Sequence, residues 1–254
     1  MPYLKRMFVA LMLLLSTGVC AYAQSDVSDA QRKSFEAIIK SYILANPEVV
    51  EEALQELDRR KQTAQKSAQD ATLMSEKEAL FNASHSAVVG NAKGKLTLVE
   101  FFDYNCGYCK KAALDVDQLI KKDPELRVVL KDFPVLGPDS VEAHEVALAV
   151  KNQLSGNQYW AFHMKAMALK GTVGKTRMLE VAKDSGVDMA KLTNDLQSKE
   201  QRALLSQNIA LGDKLGLTGT PSYVIDKEVL FGAVGLDTLS ETIKNVRQCG
   251  KATC

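Results

Sequence analysis

The chain has 254 residues, 46% of them hydrophobic and 25% charged, with a formal net charge of +1. This length suits one large domain or two small ones, and the composition is that of a protein that buries a core, which excludes a disordered or fibrous chain. No basic run is long enough to form a nucleic-acid or lipid surface, so no nucleic-acid partner is expected.

The first residues read as an address. Lys5 and Arg6 form a positive n-region, and Met7 to Leu15 is an almost unbroken apolar run. Ala21-Tyr22-Ala23 supplies the small residues a signal peptidase needs, so residues 1–23 are expected to be a signal peptide cut before Gln24. The run is too short for a bilayer, which needs about 20 apolar residues. Cys20 invites a lipoprotein reading, but Val19 stands where a lipobox prefers a small residue. The mature protein is therefore expected in an oxidising compartment, the periplasm. There Cys106, Cys109, Cys249 and Cys254 remain as two close pairs.

Residues 29–45 predict an amphipathic helix with Phe35, Ile38, Ile39, Tyr42 and Ile43 on one face. Asn46-Pro47 breaks it and starts another, with Asn46 as N-cap and Glu48 and Glu51 at the positive end. Val49, Val50, Ala53, Leu54 and Leu57 give this second helix an apolar stripe. From Asp58 to Ala71 the stripe fades into Arg, Lys, Gln and Ala without Gly or Pro, as in an exposed helix joining two bodies. Two apolar stripes outside a main body need a cover. Another protomer is the simplest one, and packing back on the same chain is the alternative. The expected division is a helical oligomerisation segment at 24–57, a helical linker at 58–74 and a catalytic module at 75–254.

Within that module Leu96 to Phe102 predicts a buried strand. A helix ending near Lys122 and a strand from Arg127 to Phe133 complete a βαβ unit. About 139–215 is helical in pattern, broken at Gly156, Gly171, Gly174 and Gly186. Ser222 to Ile225 and Val229 to Phe231 flank a tight turn at Asp226-Lys227, and Leu236 to Gln248 closes the chain as a helix. The order is βαβ, a helical block, then ββα, an α/β fold.

Cys106-Gly107-Tyr108-Cys109 falls where a strand ends and a helix begins. Cysteines at i and i+3 on a first helical turn share a face, close enough for a disulfide. At the helix N-terminus the free N–H groups and the dipole favour an anion, so Cys106 is expected as the attacking thiolate and Cys109 as the resolving thiol. A structural disulfide, or a zinc site completed by Cys249 and Cys254, are the alternatives. Glu100, a carboxylate inside the apolar strand, is either a desolvated acid with a raised pKa that takes the proton of Cys109 or a strand-edge acid facing water. Thr218-Gly219-Thr220-Pro221 precedes the penultimate strand, where a proline is compatible with sheet and could be cis. His85, His144 and His163 carry no ligand signature and read as ordinary helix or surface histidines, and Tyr159 and Trp160 as core or groove residues. No metal and no cofactor are expected.

Together these residues resemble the DsbA-type branch of the thioredoxin superfamily. The motifs are the run from Val99 through Asn105 to Cys106-Gly107-Tyr108-Cys109, and Gly219-Thr220-Pro221-Ser222-Tyr223-Val224. The likeness covers about 75–248 and implies a thioredoxin fold with an inserted helical domain. It also implies that Pro221 is cis beside the cysteine pair. Gly107, Tyr108, Thr220 and Pro221 then contact substrate, with Thr220 backbone groups bonding an extended segment. Glu100 matches the family's buried acid.

Gly107-Tyr108 supplies no cation, unlike the Pro-His of strongly oxidising members, so a less oxidising disulfide is expected. Thr before the proline resembles isomerase and reductase members. The N-terminal helices resemble those of oligomeric relatives of the suppressor-of-copper-sensitivity type, which implies a homo-oligomer, a trimer ahead of a dimer. The expected function is a disulfide isomerase or reductase acting on disulfide-bonded secreted clients and kept reduced by a DsbD-type membrane partner. A net oxidase recycled by a DsbB-type partner, a thiolate Cu(I)-binding protein and a structural adaptor are the rivals. The family pattern does not require Cys249 and Cys254. They are expected to form a structural disulfide that pins the tail, with a second redox relay as the alternative.

Overall fold

A computed structural model describes residues 27–254; the signal-peptide reading of 1–23 lies outside the described residues. The chain forms two compact units, the first ending at Arg60 and the second running Lys61–Cys254.

In the first unit helix α1 spans Asp29–Ala45. A reciprocal box starts it: the Gln31 N–H donates to Ser28 Oγ, and the Ser28 N–H donates to Gln31 Oε1 at 3.0 Å. Helix α2 spans Glu48–Ser75. Asn46 caps the helix before it, not the one after it. Its backbone N–H and its side-chain amide both donate to the Tyr42 carbonyl. No residue of α1 is buried, and Phe35, Ile38, Ile39 and Tyr42 are each more than half exposed.

The segment expected as an exposed linker is exposed only at first. Gln69 and Leu73, one helical turn apart, are buried in the second unit. Gln69 Nε2 donates to the Leu215 carbonyl at 2.9 Å, and Leu73 joins an apolar cluster with Phe101, Phe133 and Leu215. Two contacts four residues apart suffice to seat a helix, and two such residues leave too small a stripe to stand out in the sequence.

The second unit is built on a five-stranded sheet: β1 (Ala87–Gly90), β2 (Leu96–Phe102), β3 (Leu126–Asp132), β4 (Ser222–Ile225) and β5 (Glu228–Phe231), in the order β1-β3-β2-β4-β5. Strands β2 and β3 are parallel and every other pair is antiparallel. Helix α4 (Gly107–Lys122) makes the β2-to-β3 crossover. A short helix α3 (Lys77–Phe81) and edge strand β1 precede this core. Neither is legible in sequence, because four or five residues carry no measurable period; β1 is a strand because it pairs with β3. Buried Lys131 fixes the approach. Its ammonium donates to the Ala79 carbonyl and Ser86 Oγ, and burial lowers its pKa to about 8.

Strand β2 is buried on both faces, and alternation sorts its residues. Val99 and Phe101 face the cluster of Leu73 and Leu215. Leu98 and Phe102 face the larger core with α4 and with α10 (Leu236–Cys249). The period of two puts Glu100 on that second side. Between β3 and β4 come α5 (Pro138–Lys151), α6 (Gly156–Met167), α7 (Lys175–Lys183), α8 (Met189–Gln197) and α9 (Glu200–Lys214). The predicted turn at Asp226-Lys227 forms, with Asp226 at φ 54°, a left-handed conformation that Asp tolerates.

Candidate active site

The end of β2 and the first turn of α4 bring the cysteines together. Cys106 is the N-cap of α4, in an extended conformation, and its sulfur accepts the Cys109 N–H at 3.4 Å. The same sulfur lies 3.1 Å from the Thr220 carbonyl oxygen. The Thr220–Pro221 peptide is cis. Both cysteines are unbonded thiols; Cys109 is fully buried and Cys106 nearly so.

The two sulfurs are electrostatically unequal. The hydrogen bond from the Cys109 thiol is the largest influence on Cys106. Burial opposes it, and the Thr220 side chain and the N–H groups of Cys109 and Tyr108 reinforce it. The pKa of Cys106 falls to about 5. Burial first, and then the bond to Cys106, push the Cys109 thiol far up. A proton placed on this pair therefore sits on Cys109, and the anion on Cys106.

Glu100 is buried, not a strand-edge acid facing water. Burial raises its pKa to about 8; the Tyr223 hydroxyl works against the rise and the charge of Cys106 adds to it. Tyr223 is its direct cross-strand partner. It is near enough to bias the ionisation, but neither group has a hydrogen bond of ordinary length and angle. A carboxylate so placed can accept a proton from Cys109 near neutral pH.

The other predicted site residues fall around these sulfurs. Gly107 and Tyr108 are exposed on the first turn of α4, Tyr108 by 66%, and the Thr220 carbonyl, one residue before cis Pro221, lies against the Cys106 sulfur. Cys249 and Cys254 are bonded to each other at the end of α10, which leaves neither sulfur free to complete a zinc site with the other pair. Among the described residues no group of three or more His, Cys, Asp or Glu could hold a metal ion, and no helix is long and apolar enough to cross a membrane.

Several residues that matter here were given no role by the sequence. Asp103 Oδ1 accepts from the Asn105 N–H and Ser140 Oγ, both at 2.8 Å, and Oδ2 accepts from the N–H groups of Val135 and Leu136. Asn105 exchanges two further bonds with the Val173 backbone. These contacts hold the turn before Cys106 and bring up the loop that exposes Val135 and Leu136. His144 and His163, read as ordinary helix or surface histidines, are fully buried against Tyr104; His85 is partly buried and meets Asn208 at 3.3 Å. Tyr159 is core, and Trp160 Nε1 donates to Asp117 at 3.0 Å. The signal for the aspartate and asparagine was their place just before the motif; the histidines gave none, since their partners lie on other elements.

The DSBA-like thioredoxin domain family matches residues 97–244, and the copper resistance protein ScsC N-terminal domain matches residues 31–64. Among solved structures, a thioredoxin-like oxidoreductase from Silicibacter pomeroyi DSS-3 is 37% identical with a TM-score of 0.63, over 68% of this chain and 98% of that one. Proteus mirabilis ScsC in a compact conformation is 30% identical with a TM-score of 0.64, over 87% of this chain and 100% of that one. A periplasmic thioredoxin-like protein from Salmonella enterica serovar Typhimurium is 31% identical with a TM-score of 0.61, over 66% and 94%. The curated relatives it matches are Na(+)/H(+) antiporters, spanned over about a quarter of their length. The first, from Salinispora arenicola, is 23% identical over 158 residues, 61% of this chain and 24% of that protein. With its thioredoxin sheet, its cysteine pair at a helix N-terminus and these matches, the chain belongs to the DSBA-like thioredoxin domain family and carries a ScsC-type N-terminal domain.

Proposed function

We propose that this protein is a periplasmic disulfide isomerase or reductase that acts on misbonded secreted proteins. The observation that carries the reading is the unequal pair: a sulfur favoured as an anion at the start of α4, above a buried thiol that keeps its proton. Cys106 attacks a client disulfide and forms a mixed disulfide, releasing one client sulfur as thiolate. That thiolate then attacks another client disulfide or the mixed one. Alternatively Cys109 gives its proton to Glu100, attacks Cys106 and frees the client reduced. The Thr220 backbone, beside Cys106, bonds the extended client strand, and Gly107, Tyr108 and Pro221 contact it. Only a reduced pair can start this cycle, so a membrane reductant of the DsbD type restores it.

The exposed apolar faces of α1 and early α2, together with the match of 31–64 to the ScsC N-terminal domain, support a homo-oligomer, trimer ahead of dimer. Because the second unit begins at Lys61, removing residues 24–60 leaves its core whole. Light scattering should then show assembly lost and a folded monomer kept. An assembly of unchanged mass would end the oligomerisation reading.

Refolding of scrambled ribonuclease tests the function. The reduced protein should restore activity above a thioredoxin control, and parity with that control sinks the isomerase. One observation favours the oxidase instead. A Cys106 pKa of about 5 lies between the values of about 7 and about 3.5 for reducing thioredoxin and oxidising DsbA. A reduction potential near about −120 mV would decide for the oxidase. The Cu(I) reading needs Cys109 as a second thiolate, and burial opposes that ionisation.

A further inference from the structure

Strand β2 does not run straight into α4. Between them stands a turn closed by the Cys106 N–H donating to the Asp103 carbonyl at 3.0 Å. Its two central residues are Tyr104 and Asn105, and the helical insertion holds both. Asn105 is tied to Ser140 and Val173. Tyr104 is gripped at both ends: its backbone N–H donates to His144 Nε2 at 3.3 Å, and its hydroxyl meets His163 Nδ1 at 3.2 Å. The His144 and Tyr104 rings lie 4.7 Å apart, and all three side chains are fully buried.

The partners fix the proton on His144. A backbone N–H can only donate, so Nε2 accepts, and Nδ1 carries the hydrogen and donates to Asp132 Oδ1 at 2.6 Å. Asp132 is the last residue of β3. The connection thus runs from the sheet through His144 to the residue two before the nucleophile. The other ionisable groups facing His144 are Asp103, whose Oδ1 lies 4.0 Å from Nε2 and is engaged by Asn105 and Ser140, and His163 across Tyr104. Losing the Nε2 acceptor leaves a buried N–H with no partner, and the turn must move to relieve it. The N–H···S contact of Cys109, 3.4 Å long, depends on where the turn places the sulfur, so a displacement of the turn weakens it.

We propose that His144, held in its Nδ1–H tautomer by Asp132, is a positioning residue for Cys106: it fixes the turn that presents this sulfur to the N–H groups opening α4. The role rests on Cys106 being the attacking sulfur.

Long-range 1H–15N spectra of the reduced wild-type protein should show His144 with the proton on Nδ1 and an accepting Nε2; a proton on Nε2 overturns the proposal. Thiolate absorbance then follows Cys106 in His144→Leu and His144→Gln, with thermal unfolding measured beside it. In His144→Leu the titration should move up by about one unit, with alkylation well below the wild-type midpoint slowed about tenfold. His144→Gln, whose carboxamide oxygen can accept the Tyr104 N–H, should stay within about threefold of wild type. Equal shifts in both variants, or none in either, overturn the proposal whatever the melting temperatures do. Should His144→Leu fail to fold, Asp132→Asn keeps the imidazole and removes the charge that sets its tautomer. A rise of about threefold in proton affinity supports the role, and an unchanged titration ends it. If wild-type Cys106 titrates like free cysteine, the reading of the site fails; if it is depressed and His144→Leu matches it, only the role of His144 fails.

Discussion

Two cysteine pairs stand at opposite ends of helices, and their chemistry differs accordingly. Cys106 opens α4, where the N–H groups of Cys109 and Tyr108 act on its sulfur and the net effect favours the anion despite the Thr220 carbonyl oxygen 3.1 Å away. Cys249 closes α10, where carbonyls converge: the Lys251 oxygen lies 4.0 Å from its sulfur, and the Asn245 oxygen lies 3.4 Å from that of Cys254. Donors stabilise a departing or attacking thiolate and acceptors oppose one. The first pair is free and buried, and the second is bonded and exposed. Helix polarity separates the two pairs, and at Cys106 it adds to the larger effect of the neighbouring Cys109 thiol.

The largest effect that could break this contrast is at the nucleophile. Cys106→Ser should abolish insulin reduction, while Cys109→Ser should accumulate mixed disulfides visible on non-reducing gels; activity surviving in Cys106→Ser would transfer the chemistry to the tail. Next comes Glu100→Gln. With the nearby proton acceptor gone, release of a mixed disulfide should slow by about a hundredfold in stopped-flow traces, with attack by Cys106 little changed. A variant as fast as wild type would leave Glu100 as a buried acid without a role.

The contrast also has a pH signature. The Cys106 pKa falls from 9.0 unfolded to about 5 folded, so between those values the unfolded reduced chain binds more protons. Stability of the reduced form relative to the oxidised form should therefore rise with pH across that window. Glu100 acts in the opposite sense. Its pKa rises from 4.5 to about 8, so the folded state binds more protons there and loses stability as pH increases. Melting curves should show Glu100→Gln gaining on wild type from pH 5 towards pH 8, in both redox forms. A gap that is flat with pH would mean Glu100 is not desolvated. The smallest effect belongs to the tail. The double change Cys249→Ser and Cys254→Ser should cost about 2 kcal/mol at most in denaturant melts and leave exchange rates unchanged. A fall in rate would restore the second-relay reading.

The conformation of the turn before Cys106 shows where sequence reading stops. The cysteine spacing, the apolar strand and the following helix are adjacent in the chain, so their joint meaning could be read there. That Tyr104 is held by His144 and His163 could not, because the partners lie 40 and 59 residues away on separate helices. Gly212 makes the same point. A Cβ there would come within 2.4 Å of the Phe133 ring, a close approach that only the packing of α9 imposes. Strand β1 was missed for a related reason, since its pairing with β3 and not its own four residues makes it a strand.

The sequence alone determined the order βαβ, helical block, ββα of the longer elements, the place of the cysteine pair at a helix start and the apolar faces of the N-terminal helices. Those properties are periodic or contiguous, and local sterics and helix polarity express them wherever the chain goes. Tertiary structure alone decided that Glu100 is dry, that the Thr220 carbonyl reaches a sulfur 114 residues away, and that a buried histidine supports the turn before it. Desolvation and the meeting of distant polar groups are properties of packing, and no pattern along one element encodes them.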